Sequence, residues 1–475
     1  MNLPADTRAA WHLLIKMQTA LVGTFDIERR LGKRIRPLRT LAESIWIALY
    51  LVLIAFPLLI LIVGRVPTGG GFWWDFSMGL GFTGLAVMGL QFVLTARFRG
   101  ATAPFGIDII YYFHRCVGIV GMLLVLGHYI ILRVWYGQAL PPINPAEAPW
   151  HMTAGRLALI IFVGLIVSSI WRKQLGIEYD RWRFWHGVFA LVAVALAILH
   201  ISGVGYYTAA PARKILWTTY SASWLLALIY IRLVRPLNLL RKPYRVVSVR
   251  QERADSWTVT VEPKGQYGLK FHPGQFAWLT IGSSPLRASE HPFSFSGSAE
   301  NPQKLRFTIK ELGDFTRSIR DVKNGEMAYV DGPHGIFSPD LYPDAPGFAF
   351  IAGGVGIAPI MSMLRTLADR GDKRPLFLIY GNPNWDRVIF REEIESLKEV
   401  LNLRVVHVLS EPPPGWSGVT GILSDAVLRE SLRHESCKFI FFVCGPKGMT
   451  RTALHTLRAL GVPLQRVHSE HFDMA

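Results

Sequence analysis

Between residues 45 and 234 the chain alternates long apolar runs with short polar loops. Six runs, near 45–64, 77–96, 105–132, 155–171, 184–204 and 215–234, approach or exceed the roughly 18 to 20 apolar residues that cross a bilayer. They predict six membrane-spanning helices in a domain of residues 44–235. The period then changes. Over 243–342 short alternating runs such as "RVVSVRQ", "WTVTVEP", "FAWLTIG" and "LRFTIKEL", broken by Gly and Pro, predict a small antiparallel β-barrel. Over 343–475 apolar strands are each followed by a helical pattern: "GFAFIAGG" by "IAPIMSMLRTLADR", "PLFLIYGN" by "FREEIESLKEV", "KFIFFVCGP" by "GMTRTALHTLRAL". Those are the βα units of a parallel sheet, giving an α/β domain.

Charge orients this arrangement. The 475 residues carry a formal net charge of +17, but residues 1–242 hold 24 Lys/Arg against 9 Asp/Glu, while 243–475 hold 27 against 25. The excess belongs to the membrane half, where basic residues cluster before span one, in alternate loops and after span six. By the positive-inside rule both termini and the C-terminal half are cytoplasmic, in a multi-pass protein of the cell (inner or plasma) membrane. A nearly balanced C-terminal half argues against a nucleic-acid partner. Residues 1–43 form a basic cytoplasmic segment with a modest amphipathic stretch, "AAWHLLIKMQTALVG", and no cleavable signal peptide is expected. Cys116, Cys437 and Cys444 form no CxxC or CxxCH pattern, so a haem, if held, is not covalently attached.

Four histidines stand out. His114 and His128 bracket an apolar, glycine-rich run in span three, and His186 and His200 repeat the same separation of fourteen in span five. A lone membrane imidazole is as often helix glue as a ligand. A repeated spacing is different: fourteen residues make nearly four turns and a rise of roughly 21 Å, so each pair lies on one helix face at two depths. Between them on that face stand Gly118, Gly121 and Val125 in one span and Ala190, Ala193 and Ala197 in the other, small enough to leave room for flat macrocycles. Spans three and five run in the same direction, so His114 faces His186 and His128 faces His200. Two imidazoles fill both axial positions of a haem iron, which favours electron transfer. Arg115, Arg133, Arg181 and Arg183 are candidates for the propionates.

In the C-terminal half "AGGVGIAP" joins a strand to a helix, so Gly353, Gly354 and Gly356 let backbone amides approach a pyrophosphate. "HPFS" offers rings and a hydroxyl at a strand end, and "KELGDFT" offers Lys310, Gly313 and Thr316 to phosphate. Together with "DGPHGIF", "YGNPNWDRVIF" and "VCGP", in this order after six spans, the chain resembles the ferric reductase and NADPH oxidase superfamily along residues 45–475. That resemblance, closest in its compactness to bacterial oxidases, implies a flavin site at His291, Pro292, Phe293, Ser294, Lys310, Gly313, Phe315 and Thr316. It implies a dinucleotide site at Gly353, Gly354, Gly356, Ile357, Ala358, Pro359, Tyr380, Gly381 and Asn382, with Cys444, Gly445 and Pro446 bordering the nicotinamide. Cys444, Ser294 and Phe472 would serve hydride transfer, Phe472 as an aromatic cap on the flavin. Arg387 and Arg391 follow the second strand of the α/β domain, where a 2′-phosphate would lie, which favours NADPH with NADH possible.

The implied cofactors are FAD, NADPH and two b-type haems held by His114, His128, His186 and His200. The implied activity passes electrons from cytoplasmic NADPH to an acceptor on the outer face. Oxygen, giving superoxide, is the first expectation and a ferric chelate the second, since Asp75, Glu147, His151 and Met152 in the outer loops could touch a metal. A membrane sensor that binds haem and nucleotide without turnover is the reading from another class, and the full set of flavin and dinucleotide motifs opposes it.

Overall fold

The computed structural model describes residues 36–62, 69–97, 107–138, 140–287, 289–432 and 438–470. The amphipathic N-terminal stretch, Cys437 and Phe472 lie outside them. The chain divides into two compact units that part between Leu228 and Ile229.

The first unit is helical: α1 (Arg36–Ile62), α2 (Phe72–Thr95), α3 (Ile107–Tyr136), α4 (Trp150–Trp171), α5 (Tyr179–Val204) and α6 (Pro211–Ile229). Among the described residues six helices, these with α6 prolonged to Leu240, are long and apolar enough to cross a membrane. Several begin before the apolar runs, because turns such as Phe72–Asp75 and Trp150–Thr153 carry aromatic and polar residues suited to an interface. α6 runs on through a π-turn, Tyr230–Val234, into a short helix α7 (Arg235–Leu240). Pro236 there has no N–H to give to an α ladder.

The bundle core gathers Phe82, Leu85, Ala86, Phe162, Ala193, Trp217 and Trp224. Small residues set the closest approach. A Cβ on Gly121 would stand 2.9 Å from Val87 and from Met88, and one on Gly84 2.7 Å from Val125. So at Gly121 and Val125 the face of α3 expected to leave space for a macrocycle is filled by α2, as close packing between membrane helices requires.

The second unit opens with a six-stranded antiparallel sheet in the order β4-β3-β6-β1-β2-β5. Its strands are β1 (Tyr244–Glu252), β2 (Ser256–Pro263), β3 (Phe276–Ile281), β4 (His291–Ser294), β5 (Leu305–Lys310) and β6 (Met327–His334). Phe295, one residue past β4, bridges to Phe307 of β5 and closes the sheet on itself. Inside, Phe295 stacks on Phe271 at 4.1 Å and meets Phe307 at 5.0 Å. A short helix α8 (Asp314–Ser318) follows β5.

The parallel sheet has the order β10-β9-β8-β7-β11-β12. It comprises β7 (Phe348–Gly353), β8 (Leu376–Asn382), β9 (Leu403–Leu409), β10 (Val419–Thr420), β11 (Ile440–Cys444) and β12 (Val467–Glu470), with helices α9 (Ile357–Asp369), α10 (Arg391–Val400), α11 (Asp425–Ser431) and α12 (Lys447–Ala459). β7 is buried along its whole length, as a strand covered on both faces must be. The order reverses at β7, so the crevice at its carboxyl end lies between β7 and β11, where such sheets bind ligands. Buried Arg365 of α9 ties this domain to the barrel: it holds Glu393 through two bonds of 2.6 Å and donates to the carbonyl of Ser296.

Phe307 is fully buried at the barrel seam. Phe307→Ala should cost about 3–5 kcal/mol of stability, seen as a lower denaturant midpoint of the barrel transition with an unchanged helical signal from the first unit.

Candidate active site

The dinucleotide turn is built by close backbone approach. β7 ends at Gly353, a single 3₁₀ turn follows, and α9 begins at Ile357. A Cβ on Gly356 would meet the Cys444 carbonyl at 2.3 Å, and one on Gly445 the Gly353 nitrogen at 3.0 Å. The "GGVG" and "CGP" loops therefore nest only because both are glycines. Gly354 adopts φ +53°, in the left-handed region that favours glycine. Tyr380, wholly buried in β8, donates its hydroxyl to the Gly354 carbonyl at 3.0 Å. Its place is under the turn, which it holds, and burial keeps the phenol protonated. Ile357, Ala358 and Pro359 are also buried and support the helix start from within. Gly381 and Asn382 end β8 beside this turn.

The barrel brings the two flavin motifs together. His291 of β4 stacks on Phe315 of α8 at 4.0 Å, and Phe293 on the same ring at 6.0 Å. Thr316 accepts from the amides of Leu312 and Gly313, both at 2.8 Å, and so shapes the loop itself. Gly313 is extended at φ −149°, a conformation open to any residue. Lys310 ends β5 beside this loop, and Pro292 pairs with Trp278 in the sheet.

A further residue joins the site. Ser294 donates to Glu470 at 3.4 Å, and both side chains are buried. Glu470 ends β12 in register with Cys444, the last residue of β11. Serine, carboxylate and thiol thus meet at the carboxyl ends of the strands, with Pro446 exposed at the mouth. Burial, and then the charge of Glu470, pushes the Cys444 thiol up. The signal for Glu470 was an acid in the strand-like run "RVHSE", but its pairing with "VCGP" depends on a parallel crossover that spacing does not reveal.

Both candidate phosphate arginines have other partners. Arg387 pairs with Asp255 at 2.7 Å, and Arg391 lies over the Trp385 ring at 4.9 Å while pairing with Glu392 at 3.0 Å. Exposed pairs of this kind contribute only about 0–1 kcal/mol, so a phosphate could displace them.

In the helical unit the histidines meet as their spacing predicts for one pair directly: the His114 and His186 rings are 6.5 Å apart, centre to centre. With metal–imidazole bonds of about 2 Å, two rings gripping one ion have centres roughly 6 Å apart. The Trp182 ring lies 4.9 Å from His186, and its buried Nε1, like His114 Nδ1, has no hydrogen-bond partner among the described residues. A group with acceptors of its own fits there. His128 stands on α3 and His200 on α5, each fourteen residues along from the first pair. Arg115, Arg133 and Arg181 are exposed on the outside of the bundle, and Arg183 is half-buried. Asp75 accepts from Tyr207 at 2.7 Å and Glu147 from Asn144 at 2.7 Å.

Comparison with known proteins follows this division. Residues 80–197 match the family model of a ferric reductase like transmembrane component, 241–338 that of an FAD-binding domain, and 350–455 that of an oxidoreductase NAD-binding domain. This is the ferric reductase/NADPH oxidase-like architecture. Among curated relatives, the glycine betaine monooxygenase reductase subunit of Pseudomonas aeruginosa is 28% identical over 236 residues, 48% of this chain and 63% of the relative. The chain therefore matches somewhat less than two thirds of that relative's length. The NADH-cytochrome b5 reductase-like protein alnC of Emericella nidulans is 36% identical over 124 residues, 26% of each chain. A ferredoxin NADP+ reductase structure from Neisseria gonorrhoeae with bound FAD and NADP aligns at 20% identity and a TM-score of 0.42, covering 48% of this chain and 97% of that one.

Two outcomes test the site's geometry. Tyr380→Phe removes the side-chain donor from the Gly354 carbonyl, which keeps the Ile357 amide, and should lower stability by about 1 kcal/mol, with weaker retention on an immobilised dinucleotide. Cys444, its thiol raised, should resist iodoacetamide at pH 8 in the folded protein and react once unfolded, as read by mass spectrometry. An unfolded thiol loses its proton near pH 8.5 while the folded one keeps it, so the Cys444 contribution to stability falls as pH rises beyond that point.

Proposed function

We propose that the chain is a transmembrane oxidoreductase that takes electrons from cytoplasmic NADPH and delivers them to an acceptor on the outer face, with oxygen, giving superoxide, as the favoured acceptor. The observation that carries this reading is the succession, on one chain, of a ferric reductase-like membrane component, an FAD-binding domain and an NAD-binding domain. Bound FAD would supply hydride acceptance and single-electron release, and haem iron, held by His114 with His186 and His128 with His200, would supply one-electron carriage.

The chain's own residues perform binding and positioning. Gly353, Gly354 and Gly356 admit the dinucleotide phosphates, and Tyr380 keeps their turn in shape. The stacked faces of His291, Phe293 and Phe315 form a platform for a flavin on the barrel. Ser294 and Glu470 fix a polar point beside the reacting ring, and Cys444 stays a neutral thiol that tolerates the close approach of nicotinamide. The two imidazoles of His114 and His186, 6.5 Å apart, would hold one iron between them.

Oxygen is preferred over a ferric chelate because the compact chain most resembles the bacterial oxidases of this superfamily. The family model's description favours the chelate as the second reading. Initial rates of NADPH oxidation with oxygen and with chelated ferric iron, using superoxide dismutase as a control, separate the two. Negligible oxidation in air beside rapid chelate reduction would replace oxygen as the acceptor. His128→Leu should halve the haem content and leave flavin reduction by NADPH unchanged, as read by pyridine haemochrome and stopped-flow absorbance. Unchanged haem content would contradict the pairing.

A further inference from the structure

The His128 and His200 rings are each seated against a neighbouring helix by the same device. His128 Nδ1 lies 2.9 Å from the backbone carbonyl of Ser77 in α2, and a Cβ on Gly81, four residues on, would come within 3.1 Å of that nitrogen. His200 Nδ1 lies 2.9 Å from the carbonyl of His151 in α4, and a Cβ on Gly155, again four residues on, would meet the ring at 2.7 Å. In an α-helix the carbonyl of residue i already accepts from the amide of residue i+4. A second donor must therefore arrive over residue i+4 itself, and any side chain there stands in its way. Carbonyl at i and glycine at i+4 make a socket for an imidazole edge. Ser77 strengthens the first socket by donating its hydroxyl to the His128 carbonyl at 2.9 Å.

The chemistry follows from the partner. A carbonyl only accepts, so Nδ1 carries the proton and Nε2 is left with the lone pair; the Ser77 hydroxyl, also 3.0 Å from His128 Nδ1, gives its own proton to the His128 carbonyl and so can only accept there. Pulling on the Nδ1 proton makes Nε2 a stronger donor to a metal. His114 is seated otherwise, because none of the described residues accepts from its buried Nδ1.

We infer that Gly81 with the Ser77 carbonyl, and Gly155 with the His151 carbonyl, are positioning devices that fix the tautomer of His128 and His200 and lower the reduction potential of the centre those two hold. The inference rests on the bis-haem reading above. Stronger donation stabilises the oxidised iron, so loosening a socket raises that one potential and leaves the other site alone.

The full chain purified with its haem, and its Gly155→Ala, Gly81→Ala and Gly164→Ala variants, would be titrated potentiometrically while the b-type absorbance is followed. Gly164 lies on the same helix as Gly155, but a Cβ there meets nothing within 4 Å, so it controls for the helix change alone. In Gly155→Ala one of two reductive steps should shift upward by roughly tenfold in its equilibrium, which is about 59 mV for one electron. The other step should hold. Gly81→Ala should move the same step by less, since its added carbon needs a smaller displacement, and it decides the matter if Gly155→Ala is not recovered folded. Unmoved potentials in both variants, or an equal shift in Gly164→Ala, overturn the inference while the bis-haem reading stands. A parent protein with no b-type spectrum overturns both.

Discussion

An imidazole enclosed by apolar helices has no water to satisfy it, so every ring nitrogen must be answered by the protein or by a ligand. That constraint organises the helical unit. Two rings meet across α3 and α5, and two others give their Nδ1 atoms to carbonyls of α2 and α4. Each of the two carbonyl contacts requires a neighbouring backbone to come close, and glycine at the contact, Gly81 or Gly155, is what permits it.

The same rule of approach governs the dehydrogenase unit at another scale. The "GGVG" turn and the "CGP" loop sit against each other through Gly353, Gly356 and Gly445, and Tyr380 fastens the turn from below. A crevice forms where the strand order reverses, and three different segments place Ser294, Cys444 and Glu470 at its floor. What the sheet delivers there is a buried serine, a buried carboxylate and a neutral thiol side by side.

Most of the architecture is legible in the sequence because it is periodic. Apolar runs of bilayer length give the six helices, period-two runs give the barrel, and strand-then-helix runs give the parallel sheet. The histidine pairing is legible too, since a spacing of fourteen repeated on two parallel helices brings His114 to His186. What escapes is whatever depends on a third element. Gly81 and Gly155 read as ordinary membrane glycines until α2 is seen against His128 and α4 against His200. Glu470 reads as a terminal acid until β12 pairs with β11. Gly121 reads as room for a cofactor, yet α2 fills it. Helix ends also run past the apolar windows, since interfacial residues such as Trp73 and Trp150 are helical without being uniformly apolar.

The central claim is that electrons entering at the dinucleotide crevice reach iron held by the helical unit of the same molecule. It is tested most directly by mixing the purified full chain with NADPH in the absence of oxygen and following the absorption spectrum. The account predicts loss of oxidised flavin absorbance followed by the sharp α band of reduced b-type haem. Flavin reduction with no haem signal, or no reduction at all, would contradict it.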